Sequence, residues 1–84
     1  MAKRNEIARF YKTANPKGTG LTTRVLIVYE LKAHYKAEVW NSSFRGWREK
    51  QYKPLYSKLF SKDVSLDDIR NYFDFNSPNT YRAK

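Results

Sequence analysis

Between Phe44 and Lys53 the sequence Phe-Arg-Gly-Trp-Arg-Glu-Lys-Gln-Tyr-Lys interleaves rings and cations around a single glycine. Nucleobases stack on such rings while Arg and Lys take phosphates, and each stacked base contributes ~1–3 kcal/mol. Arg45, Trp47, Arg48, Lys50, Tyr52 and Lys53 are therefore the first candidates for contact with a ligand. For the two aromatics a place in the core fits equally well. For the four cations an anion-facing role is favoured, because only Glu49 offsets them locally.

A second basic group precedes it. Lys3, Arg4, Arg9, Lys12, Lys17 and Arg24 suit a basic N-terminal arm lying along a phosphate backbone; the bland alternative is a terminus kept soluble by its charge. Lys17-Gly18-Thr19-Gly20 lacks the spacing of a nucleotide-binding phosphate loop and reads as a turn. In all, residues 1–62 carry 14 of the 17 Lys and Arg but only four of the eight Asp and Glu, so the basic footprint ends near Lys62.

Catalytic chemistry has weaker support. His34 is the only histidine, which argues against a metal site, and no cofactor motif is present. A ribonuclease can be drawn from His34 with Glu30 or Glu38, Arg24 and Tyr35. Such residues co-occur by chance in many chains, and no triad or paired-carboxylate motif stands out. The expectation is a noncatalytic protein.

Composition narrows the partner. The formal charge of +9 draws nucleic acid, acidic protein surfaces or anionic headgroups. A membrane is disfavoured, because the longest apolar run, Val25 to Tyr29, is far short of the ~20 residues that span a bilayer. No long apolar helical face accompanies a basic one either. With no apolar stretch after Lys3 and Arg4 to make a secretory signal, a soluble, cytoplasmic chain is expected, and the Asn41-Ser42-Ser43 sequon carries little weight.

The elements that must hold these residues fit one domain over 1–84, with a loose basic arm at 1–6 and a loose polar tail at 76–84. There are no cysteines, so packing alone must stabilise it, which puts many of the five Phe, seven Tyr and two Trp in the core. Ile7 to Lys12 shows no clean alternation, but its β-favouring Ile, Phe and Tyr are compatible with an N-terminal edge strand. Asn15 to Gly20 reads as a flexible connection.

From Tyr29 to Val39 every odd residue is apolar and every even one is Glu, Lys or His. That is a strand period, and a segment this long must fold back on itself, giving a hairpin over about 24–41. A three-residue loop at Lys32-Ala33-His34 keeps parity; it pairs Leu31 with Tyr35, Tyr29 with Ala37 and Ile27 with Val39, and sets Glu30 opposite Lys36. The competing reading is a helix from about Tyr29 to Trp40.

Tyr52, Leu55, Tyr56, Leu59 and Phe60 are helically spaced after Pro54, which predicts a helix at about 54–61. Ser65 with Asp68 forms a capping-box signature and Val64 a staple to Ile69, which predicts a second helix at about 66–74. The expected fold is α+β: a small antiparallel sheet packed against one or two short C-terminal helices. Tyr29, Tyr35, Tyr56, Phe60 and Phe73 are expected in the core, leaving Trp47 and Tyr52 for contact.

The expected function is noncatalytic nucleic-acid binding, DNA or RNA, through phosphate contacts from residues 3–24 and 45–62 and stacking on Trp47 and Tyr52. The alternative is a small interaction or inhibitor protein that docks the same surface on an acidic partner.

Overall fold

The structure, a computed structural model, describes residues 5–14, 21–42, 51 and 53–82. Lys17, Arg45, Trp47, Arg48, Lys50 and Tyr52 lie outside the described residues, as does most of the expected N-terminal arm.

Val25, Leu26, Ile27, Val28 and Tyr29 are all buried, so the strand that contains them is buried on both faces. It is β2 (Thr22–Glu30), and β1 (Asn5–Thr13) and β3 (His34–Asn41) flank it. β4 (Tyr56–Ser61) adds outside β3 and β5 (Thr80–Arg82) outside β1, giving an antiparallel five-stranded sheet of order β4-β3-β2-β1-β5. One short helix, α1 (Leu66–Tyr72), completes an α+β fold among the described residues.

The hairpin forms, but with a different register. Glu30 pairs with Tyr35, Val28 with Ala37 and Leu26 with Val39, and the Leu31 N–H donates to the His34 carbonyl at 2.8 Å, closing a two-residue turn at Lys32-Ala33. Leu31, Tyr29 and Ile27 therefore do not meet Tyr35, Ala37 and Val39, and Glu30 does not meet Lys36. The expectation fails because β2 is apolar on both sides: the odd residues of β3 can join the even residues of β2 without exposing an apolar face. The turn also needs no left-handed residue, since Asp74 is the one non-glycine with positive φ among the described residues.

Three further expectations are corrected. The segment expected as a helix at 54–61 is strand β4, in which Tyr56, Lys58 and Phe60 pair across to Val39, Ala37 and Tyr35. A largely exposed edge strand with Phe60 turned to the core satisfies the same apolar spacing as a helix. The N-terminal strand is not an edge: β2 pairs along its length and β5 covers Phe10 to Lys12. Apolar residues stand on both faces of β1, with Ala8 and Phe10 buried on one and Tyr11 half-buried on the other, and a bulge between Glu6 and Ala8 disturbs the period further, which is why the sequence of β1 shows no clean alternation. Asn5 and Glu6, expected in a loose arm, already belong to that strand.

The tail likewise is not all loose. The Thr13 N–H donates to the Asn79 carbonyl at 2.8 Å and the Asn79 side chain donates back to the Thr13 carbonyl at 2.9 Å, while Tyr81 stacks at 5.4 Å on Tyr11.

The main core lies on one face of the sheet, where Ala8, Phe10, Leu26, Val28, Ala37 and Val39 pack beneath Ile69 and Phe75, with Val64 against them. The start of α1 is the expected capping box: Ser65 Oγ accepts from the Asp68 N–H at 3.1 Å and an Asp68 carboxylate oxygen accepts from the Ser65 N–H at 3.3 Å. At its other end, Phe75 N–H donates to the Arg70 carbonyl at 2.8 Å and Asp74 N–H to the Asn71 carbonyl at 3.2 Å. This is a Schellman motif with Asp74, at φ 60°, in the place glycine usually takes. It delivers the Phe75 ring into the core.

Candidate functional site

Helix α1 has seven residues and spans about 10 Å, whereas the nine-residue strands beneath it run for about 30 Å. The helix therefore covers only part of the sheet face. Beyond the row Phe10–Leu26–Val39–Tyr56 comes a polar row in which Lys12 and Asn41 flank Arg24 as its cross-strand partners. Above these rows opens a cleft of about 530 Å³, walled by Lys12, Arg24, Tyr56, Tyr72, Asp74 and Phe75 among others. A second hollow of about 430 Å³ continues along β4 past Ser57 and Lys58, sharing Tyr56, Tyr72 and Phe73 with the first.

The two floor cations differ in their partners. Among the described residues Arg24 donates only to neutral oxygens, the Thr23 carbonyl at 2.9 Å and Asn41 Oδ1 at 3.3 Å, which orient the guanidinium without cancelling its charge. No carboxylate pairs with it among the described residues. The Lys12 ammonium is bound at 3.0 Å to the Asp74 carbonyl and at 3.2 Å to its carboxylate, and lies 5.7 Å from the Phe75 ring. Lys58, farther along the groove, stands over the rings of Tyr72 at 5.1 Å and Phe60 at 5.7 Å.

The rings of the groove are unequal as well. Tyr72 contacts Phe73 and Phe60 edge-on. Tyr56 is 64% exposed and has no ring partner among the described residues, although it lines both hollows. It was expected in the core. Its position two residues before Lys58 on an edge strand, not on a helix, puts it at the surface.

Of the expected contact residues, the structure brings Lys12 and Arg24 together and separates Arg9 from them. Arg9 pairs with Ile27 on the opposite face. Glu6 holds it there by two hydrogen bonds of 3.0 and 2.6 Å, which raise the guanidinium pKa further above its ordinary value. Lys53 is exposed ahead of β4 and does not line the cleft. Gln51, the nearest described residue on the other side, donates to the Asn41 carbonyl at 2.8 Å, and Ser42 N–H to the Thr23 carbonyl at 3.1 Å. The described flanks of the Arg45–Lys50 segment are thus both fixed next to Arg24.

Sequence reasoning missed Tyr56, Lys58, Tyr72 and Asp74 as wall residues. The available signal was the period-two order Tyr56, Lys58, Phe60, which the helical reading absorbed. The residues drawn as a ribonuclease do not converge: Arg24 and Glu30 lie about 20 Å apart along β2, and Glu38 lies on the opposite face, bonded to Trp40. Among the described residues no three His, Asp or Glu side chains form a metal-binding group, and no helix is long and apolar enough to cross a membrane. No protein-family model, curated protein or solved structure matches the chain.

Proposed function

We propose that the protein is a noncatalytic nucleic-acid-binding module whose contact surface includes the cleft over Arg24. The observation that carries this reading is the cross-strand pair Lys12–Arg24 at the floor of an open cleft whose other walls are largely aromatic. An arginine positioned by neutral acceptors, as Arg24 is, takes phosphate, and neighbouring exposed rings take bases. The net charge of +9 supplies long-range attraction to a polyanion. On this reading Arg45, Trp47, Arg48, Lys50, Tyr52, Lys53 and Lys17 add further phosphate contacts and stacking, as their residue types suggest.

The test is a salt titration of binding to DNA and RNA. Neutralising about six phosphates makes affinity fall roughly 10³-fold between 50 and 200 mM salt, and the Arg24→Ala protein shows a shallower dependence by about one phosphate. Binding insensitive to salt contradicts the proposal.

A second reading has one observation in its favour: Leu55, Tyr56 and Leu59 are exposed on or beside an edge strand, as at a protein-docking surface. An acidic partner protein retained at fixed stoichiometry after nuclease treatment would select it.

A further inference from the structure

The groove orders its chemical groups in a way that discriminates among nucleic acids, and the following inference rests on the reading just given. Along the face of the sheet Arg24 stands in one row, Tyr56 in the next and Lys58 in the one after. Successive rows are two residues, or about 6.6 Å, apart. The order is cation, ring, cation. Tyr56 lines both hollows and has no ring partner among the described residues; Lys58 follows it on β4, and Arg24 lies across the first hollow, one row back and two strands, or about 9.6 Å, inward.

An uncovered ring between two cations is of little use to a duplex, whose bases are already stacked on each other and which presents phosphates alone to a shallow groove. It suits a strand whose bases are unpaired and free to turn onto a side chain. We infer that the groove takes a single-stranded segment of DNA or RNA, with one base stacked on Tyr56 between phosphates held at Arg24 and Lys58. Lys58 has the freedom this requires: its contacts are to the rings of Tyr72 and Phe60, and it makes no ion pair among the described residues. A lysine in an edge strand also discourages pairing with other sheets. That role is indifferent to the bases of a nucleic acid, so the two functions separate experimentally.

The experiment compares fluorescence anisotropy titrations at one low salt concentration. The probes are oligo(dT), oligo(U), an abasic DNA strand of the same number of phosphates, and a duplex of that length. Wild-type protein is expected to bind oligo(dT) or oligo(U) roughly 5- to 150-fold more tightly than the abasic strand, the range of one stacked base. Tyr56→Ala is expected to lower that preference at least five-fold and to weaken duplex binding far less, and Tyr56→Phe, which keeps the ring, to retain the preference. Equal thermal unfolding of the variants excludes a folding defect. Abasic strand and duplex bound as tightly as oligo(dT) and oligo(U) overturn the single-strand inference and leave polyanion binding standing. Failure of every probe to bind overturns both.

Discussion

The ammonium of Lys12 is held by Asp74 through two oxygens, the backbone carbonyl at 3.0 Å and the carboxylate at 3.2 Å, although 62 residues separate them in sequence. The contact ties strand β1 to the left-handed turn that ends α1, and it places the one acidic residue among the described walls of the cleft beside the floor cation Lys12. Asp74 is thus both a structural link and a competitor for anions.

This duality predicts the effect of removing the charge alone. Asparagine tolerates the left-handed backbone and keeps an oxygen for Lys12, so Asp74→Asn is expected to leave thermal unfolding nearly unchanged. Affinity for nucleic acid is expected to rise about two- to five-fold at low salt, as the energy of an exposed ion pair becomes available to phosphate. The gain should fade at high salt.

At the other end of α1, Ser65→Ala removes the Ser65 Oγ that accepts from the Asp68 N–H, one of the two hydrogen bonds of the capping box. The expected loss is about 1 kcal/mol, which for a chain of this size lowers the unfolding midpoint by roughly 4–8 °C in a circular-dichroism melt. Because Ser65 does not line the cleft, affinity measured well below the midpoint should not change.

Glu30 links β2 to β1 and to the turn after β4, accepting from Asn5 at 3.2 Å and from Lys62 at 3.0 Å. The hydrogen bond and charge of Lys62 hold its carboxyl below the usual glutamate value. A lowered folded pKa favours the folded state once pH exceeds the unfolded value of about 4.3, and that contribution disappears as pH falls through the lower folded value. Glu30→Gln is expected to flatten the acid limb of stability against pH while leaving the shape above pH 6 unaltered, measured by urea unfolding across the pH range.

Some of this was legible in the sequence because local signals and tertiary demands agreed. Ser65, Asp68 and Val64 announced α1 with its cap, since a helix start is decided by a few adjacent residues. The hairpin was legible from alternation in Tyr29–Val39, but not its register. Parity arguments need one polar face, and Val25–Tyr29 has none. β4 was misread because Tyr56, Leu59 and Phe60 suit a helix stripe as well as an exposed edge strand, and only pairing with β3 decides between them. The same misreading hid Tyr56 from the candidate site. The burial of Phe75 depends on the backbone at Asp74, where a non-glycine residue takes a left-handed conformation that no local rule requires.

The register carries its own prediction. With Leu31 facing His34 across Lys32-Ala33, replacing these two residues by Asn-Gly supplies the turn whose twist matches a tight hairpin. A gain of a few degrees in the unfolding midpoint is expected. A three-residue loop at 32–34 would lose stability from the same change.

Whether nucleic acid engages the face carrying Arg24 is read from the amide chemical shifts of isotope-labelled protein during titration with a single-stranded oligonucleotide. Perturbations are expected to concentrate at Lys12, Arg24, Tyr56, Lys58 and Tyr72. Shifts centred on Arg9, Tyr11 and Lys36, on the opposite face of the sheet, or no shifts at saturating oligonucleotide, would contradict engagement of that face.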